Sequence, residues 1–443
     1  MFEYSNLLQS FSNFAQYSSM LIKLIPFIGL GSLIFFRNFF KHKPILVTLF
    51  LSIFFFATNF EDYGTNTHFF RFVHKFIGVV AILHLFFLIF KKRIDTSDNP
   101  IVLPLVGFFL AIIFSAVGNS LDYFSYLALL QNFIFVSLVS VYISYQISSK
   151  EDIHTLTKLI LLFCGIFFIG ALYDILRDMI FMLDGFGSQK RVSIHFSNPN
   201  FLAYYLNFCL ALVVFSKLKR KLLLSTPIIF LIIFTQSLSS IGGSLVILIL
   251  YFSFKEFISL KFLIVSVFSI AIGFSYWISL KDSNSTRMNL IEIGVNMFVN
   301  NPGNGIGYGQ FKSKFQNYTD SIKNFSHEMD EVIMSHDNRV SDAFLESHGL
   351  IRKSEKMTHN DLLTIISELG IFGIAAILYI FLFLYRQLSE VYSKNKRLFY
   401  MSFSLITYSF LFSLFHNNMT SIIFWLIISF PAVINRILSN KIS

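Results

Sequence analysis

The chain is a succession of apolar runs, each roughly 15–25 residues long, divided by short polar stretches. A soluble core cannot bury that many such runs in 443 residues, 55% of them hydrophobic, whereas a lipid bilayer accommodates them. Inside a bilayer the backbone must satisfy its own hydrogen bonds, and runs of this length do so as helices. The expected fold is an all-α polytopic membrane protein of about 12–13 transmembrane helices, with one large outer (periplasmic) loop containing short helices. Spans are expected near residues 20–36, 44–58, 72–90, 101–117, 126–145, 156–172, 201–215, 222–234, 241–254, 262–280, 362–385, 398–415 and 421–437. Four stretches follow from this: N-terminal helices over 1–190, central helices over 191–280, a polar loop domain over 281–360 and C-terminal helices over 361–443.

A net charge of +10 on a soluble chain would raise the question of nucleic acid. Here the basic residues sit in alternate short loops, at Arg37/Lys41/Lys43, Lys91/Lys92/Arg93, Lys217/Lys219/Arg220/Lys221, Lys255/Lys261 and Arg386/Lys394/Lys396/Arg397. The positive-inside rule makes those loops cytoplasmic. The other set, 61–67, 118–123, 173–200, 281–360 and 416–420, then faces outward. The first residues lack the basic segment and cleavage site of a signal peptide, so the first helix is expected to stay.

Three segments of the outward set carry chemistry. In the first, residues 191–200 (RVSIHFSNPN), Asn198 and Pro199 form a helix start, with Asn at the cap and Pro at the first helical position. Arg191 lies just outside that helix end, and His195 is a loop residue nearby. Asn200 follows the Pro. The second segment opens at Arg287. Met288, Ile291, Val295 and Phe298 share one helical face, and Asn289, Glu292, Asn296 and Asn300 turn to the other, as in a helix lying on the outer surface. It stops at Asn301-Pro302-Gly303 and enters Asn304-Gly305-Ile306-Gly307-Tyr308-Gly309. No strand precedes this run and no Gly-Lys-Ser/Thr ends it, so Gly305, Gly307 and Gly309 read as turns and close backbone approaches. In the third, Thr358 and Asp361 fit a capping box, which puts His359 in the first helical turn with Asn360 beside it. A helix N-terminus disfavours imidazolium, so His359 is expected to be neutral and able to take a proton. Glu368 lies about two turns further on.

Other polar groups read more plainly. Cys164 and Cys209 fall inside spans as buried thiols, with no spacing that suits a metal or disulfide framework. His327, His336 and His348, and the acids Asp330, Glu331, Asp337 and Asp342, match neither a zinc nor an EF-hand pattern. Lys75 and His84 lie in the third span, where a snorkelling ammonium and a hydrogen-bonded ring compete with a functional role.

The same segments resemble the O-antigen ligase and O-antigen polymerase superfamily of bacterial envelope glycosyltransferases. The matching features are Arg191 with Asn198-Pro199-Asn200, Arg287 with Pro302-Gly303-Asn304-Gly305-Ile306-Gly307, and His359-Asn360 followed by Glu368-Leu369-Gly370-Ile371-Phe372-Gly373. Residues 235–243 (TQSLSSIGG) are similar to the start of that family's core, which would make 191–280 its ligase-like part. The family's frequent Ser-Arg-Gly motif lacks its arginine here, so no role carries over to that position.

The resemblance implies a donor glycan on undecaprenyl diphosphate, with Arg191 and Arg287 on the diphosphate and His359 activating an acceptor hydroxyl. Asn200, Asn360, Gly305, Gly307 and Glu368 would support them. The acceptor would be lipid A core in a ligase, another lipid-linked repeat unit in a polymerase, or a protein hydroxyl. No cofactor, metal or nucleic acid is expected. The location implied is the bacterial inner membrane, with the site facing the periplasm or exterior. The competing class is a transporter or flippase for lipid-linked saccharides. It should show inverted repeats and charges at mid-membrane depth, and neither stands out in the sequence.

Overall fold

A computed structural model describes residues 42–55, 67–91, 101–180, 199–256, 284–318, 360–416, 419 and 421–439. All regular structure among them is helical. The helices are α1 (Pro44–Phe55), α2 (Thr67–Phe90), α3 (Val102–Ala116), α4 (Tyr123–Gln146), α5 (Lys150–Ile180), α6 (Pro199–Val214), α7 (Lys221–Phe234), α8 (Leu238–Phe254), α9 (Asn284–Asn300), α10 (Phe311–Lys314), α11 (Asp361–Lys394), α12 (Lys396–Ser413) and α13 (Ile422–Ser439). A 3-10 turn over Phe315–Tyr318 follows α10.

Four of these helices are long and apolar enough to cross a membrane: α4, the Lys150–Ile169 part of α5, α11 and α13. The other apolar helices among the described residues are shorter, 10–17 residues. At 1.5 Å per residue α7 reaches only ~21 Å, against a hydrocarbon core of ~30 Å. The spans expected near 20–36 and 262–280 lie outside the described residues.

The chain divides into two compact units, each discontinuous in sequence. The first comprises Met1–Ile94 and Tyr145–Ser244, the second Asp95–Ser144 and Leu245–Ser443. In the first unit α6 is the hub. Every residue from Leu202 to Val214 is buried, because α5 and α7 pack around it. Buried Asn207 is the polar exception. Its amide nitrogen donates to the Ser240 carbonyl at 2.9 Å, and its oxygen accepts from Ser244 Oγ at 2.9 Å. Asn207 therefore works as interhelical glue, where an unpaired amide would be costly. Cys164 and Cys209 are buried neighbours and are not joined.

The second unit is organised on α11 and α13. Trp425 of α13 is fully buried and meets the rings of Phe108 (α3) and Phe133 (α4) edge-on at 5.6 and 5.7 Å. On α11 the exposed residues Leu378, Phe381, Leu382 and Tyr385 form one stripe at helical spacing, while Ile377, Ile380, Leu384 and Val391 are buried. An apolar stripe facing out and an apolar core facing in are what a helix at a lipid boundary shows.

This unit has two chemically distinct ends. At one, Lys394 donates to Asn435 Oδ1 at 2.6 Å and to Ser439 Oγ at 2.9 Å, and Arg436 donates to the Ser144 carbonyl. At the other, Asp361 accepts from the Met419 amide at 3.0 Å, and the indole of Trp425 donates to the Met419 carbonyl at 2.8 Å. The basic residues Lys394 and Arg436 mark the first end. The candidate segments of the second unit gather at the other.

Candidate functional site

Helix α11 begins at Asp361, and its cap is Asn360, whose side chain accepts the Leu363 amide at 3.0 Å. This corrects the capping-box assignment to Thr358. Asn also satisfies a first-turn N–H, and it does so two residues further along. His359 therefore precedes the cap instead of sitting in the first turn. Thr358 and His359 themselves lie outside the described residues, as do Arg191, His195, Asn198 and the acid and histidine positions between 327 and 348.

The helix is broken nine residues further on. Gly370 takes φ 60° and ψ −140°, which ends one helical piece at 369 and starts another at 371. A break of this kind frees backbone groups, and each needs a partner. The glycine loop after α9 supplies them. The Ser367 carbonyl would ordinarily accept the Ile371 amide; instead it accepts the Ile306 amide at 3.0 Å. The Glu368 carbonyl accepts the Gly307 amide at 3.0 Å. The Ile371 amide donates to the carbonyls of Pro302 and Gly303, at 2.9 and 3.0 Å. The loop thus threads into the kink and completes its hydrogen bonding.

So close an approach allows no side chain. A Cβ on Gly305 would collide with the Glu368 backbone, and one on Gly370 with the Gly303 carbonyl. Both glycines also have positive φ. The reading of this run as turns and close backbone approach holds, and its partner is the backbone of α11.

The Glu368 side chain fastens the same loop. Oε2 accepts the Gly309 amide at 2.8 Å and Oε1 the Phe311 amide at 3.0 Å. The residue is only 4% exposed. The α3–α4 connection closes the third side. Asn119 donates to the Gly305 carbonyl at 3.1 Å, Asn304 to the Val117 carbonyl at 2.7 Å, and the Tyr308 amide to Ser115 Oγ at 3.2 Å. Gln310 is buried; its oxygen accepts the Asp122 amide at 2.7 Å. Lys314 reaches back to the Ile306 carbonyl at 2.7 Å.

The electrostatics follow from these contacts. Burial pushes the Tyr308 phenol up, and the carboxylates of Glu368 and Asp361 add to the shift, so the phenol stays protonated near neutral pH. The hydroxyl of Ser125 holds the Asp122 carboxyl below its usual range. Burial lowers the Lys314 ammonium.

Helix α9 packs beside α11. Gly294 lies against Leu363: a Cβ there would fall 2.8 Å from the leucine's Cγ and Cδ2. From contact pair 294/363 to contact pair 303/370, α9 with its following loop and α11 advance in the same sense. The end of α9 that carries Arg287 is therefore the end that lies toward the start of α11. The backbone of Arg287 is in the first turn of α9, and its side chain lies outside the described part of the structure.

The buried face of α9 differs from the expected one. Leu290, Ile293, Gly294 and Met297 are buried, whereas Val295 is 44% exposed. The helix carries two apolar stripes, and the one beside the side-chain-free Gly294 fits against Leu363. Ile306, Phe311 and Tyr318 join Leu290, Ile293 and Met297 in a small core under the loop.

Among the candidates read from sequence, Gly305, Gly307 and Glu368 come together in one knot, and Asn360 caps the same helix two turns away. Pro199 opens α6 as expected, and Asn200, half-buried, is the next residue of that helix in the first unit. Lys75 is exposed and His84 half-buried in α2. Ser115, Asn119, Asp122 and Gln310 were not singled out from sequence. Polar residues between two apolar spans carry no local mark of what they will touch. No protein-family model and no curated protein matches this chain.

Proposed function

We propose that this chain is a polyprenyl-diphosphate-dependent glycosyltransferase that moves a glycan from undecaprenyl diphosphate to an acceptor hydroxyl. The form favoured is an O-antigen ligase with lipid A core as acceptor; the alternative is a repeat-unit polymerase. The enzyme sits in the bacterial inner membrane with about 12–13 spans and a large outer loop, and its site faces the periplasm or exterior.

One observation carries this reading. The helix that begins near Arg287 packs against the first turns of the helix that follows His359, and the glycine loop knots the two together. The pairing of a guanidinium-bearing segment with a histidine-bearing one is what the chemistry needs. The lipid diphosphate leaves as a stabilised anion, so fixed cations hold its growing charge. Guanidinium forks match phosphate oxygens and stay charged near neutral pH. The acceptor hydroxyl is a weak nucleophile, and a neutral imidazole within reach takes its proton. Arg287 and Arg191 are assigned the diphosphate, and His359 the base.

The outward orientation has its own support. Segments 117–122 and 304–310, both in the outward set, are in contact, and Asp361 meets Met419 at the same end. The basic residues Lys394 and Arg436 lie at the opposite end. This agrees with the positive-inside assignment.

The test is transfer by the purified protein from a synthetic undecaprenyl-diphosphate oligosaccharide, offered with lipid A core or alone. Product size separates ligation from chain growth. His359→Ala is expected to abolish transfer while membrane insertion is kept. Arg287→Lys is expected to damage it strongly, because a point charge replaces a two-pronged fork. Full activity in both variants would remove the assigned roles.

A further inference from the structure

The buried carboxylate of Glu368 faces backbone. Both oxygens take loop amides, from Gly309 and Phe311, and the residue's own carbonyl takes a third, from Gly307. These three bonds span the junction between two segments more than fifty residues apart in sequence. A carboxylate so enclosed is poorly placed to take a proton from an acceptor or to meet an anionic diphosphate.

The broken helix needs this loop, and the loop needs the carboxylate. The Ile306–Ser367 and Ile371–Gly303 bonds replace helical bonds lost at Gly370. Gly309 and Phe311 lie beyond that replacement, and their amides are met by the two oxygens of Glu368. The far half of the loop leads into the small core that seats α9. Releasing it would loosen α9 from the first turns of α11.

We propose that Glu368 is a positioning residue: its carboxylate latches the 302–311 loop to the kink of α11, and the latch holds the Arg287-bearing helix in register with the helix that follows His359. The register is a property of the fold, while its catalytic consequence rests on the function proposed above. The latch also gives the kink a purpose. An unbroken helix at 367–371 would have no free carbonyls for the loop to bind.

The test has two arms, both on the full chain in detergent or lipid nanodiscs. The first is amide hydrogen exchange over residues 305–311 in the wild type, Glu368→Gln and Glu368→Ala. Glutamine keeps one acceptor oxygen and turns an NH2 toward the other amide, so protection is expected to fall in the order wild type, Gln, Ala. The second arm measures kcat and KM with the synthetic undecaprenyl-diphosphate oligosaccharide. A positioning role predicts that kcat falls by about 10²-fold in Glu368→Ala, while KM moves by less than about 3-fold, with Gln in between. Unchanged protection in Glu368→Ala overturns the latch. Lost protection with unchanged kcat overturns its positioning role. If Glu368→Ala fails to fold, Glu368→Gln alone decides, since it retains the shape and one of the two bonds. Absence of transfer by a wild-type chain whose loop is protected falls on the proposed function instead, so the two failures are told apart.

Discussion

Glycines in this chain are not equivalent, and the structure separates them at the level of single atoms. Gly370 adopts a left-handed φ, and a Cβ there meets the Gly303 backbone. Gly303 has open space where its Cβ would lie. Gly370→Ala is therefore expected to cost about 1–3 kcal/mol from backbone conformation alone, with the collision added. Gly303→Ala should stay within about 0.5 kcal/mol. Thermal unfolding in a fixed detergent, read by helical circular dichroism, measures the difference; equal shifts would contradict the threaded loop. Glu368 shows the same logic for polar atoms. Removing it takes the acceptor from the half-buried Gly309 amide and the buried Phe311 amide, and the loss is expected to cost about 1–3 kcal/mol. Its place two turns into the helix was readable from spacing. The atoms it grips were not, because Gly309 and Phe311 are distant in sequence.

At the scale of elements, the start of α11 is the sharpest divergence between sequence and structure. Two residues could cap that helix, and the local pattern favoured Thr358 because Asp361 stands three positions on. Asn360 holds the position, and Asp361 accepts the Met419 amide. The contact of Asp361 with Met419 is one that no local pattern displays. Asn360→Ala is expected to destabilise by about 1 kcal/mol, and Thr358→Ala by less than about 0.5 kcal/mol. The reverse ranking in chemical denaturation would restore the original cap. Helix α9 teaches the same point about faces. Its 3.6-residue period is plain, but two apolar stripes satisfy it. The choice fell to the stripe beside Gly294, because a residue without a side chain lets Leu363 come close. By contrast, helix bounds such as Pro44, Pro199 and Phe254 match the apolar runs to within a few residues. Run length is a local property.

At the largest scale, the second unit has a basic end, with Lys394 and Arg436, and an opposite end where the glycine loop and Asp361 lie. The 371–394 piece of α11 alone reaches about 36 Å at 1.5 Å per residue, enough to cross a hydrocarbon core of ~30 Å. The residues before the kink are then left over for the boundary where the glycine loop binds. A membrane-impermeant thiol reagent is expected to label Tyr123→Cys in intact cells, and Ser393→Cys only after permeabilisation. Both positions are exposed, and the native thiols Cys164 and Cys209 are buried. Labelling of both from the same side would break the orientation on which the proposed outward-facing site depends. The sequence by itself determined that the chain is helical and membrane-embedded, because hydrophobic run length and loop charge act locally along the chain. It also marked the glycines, since a dense Gly run has few other uses. Only the tertiary structure decided that α11 breaks at Gly370 and that the glycine loop repairs the break. Hydrogen bonds between residues some sixty positions apart depend on which surfaces meet, and a linear pattern does not encode that meeting.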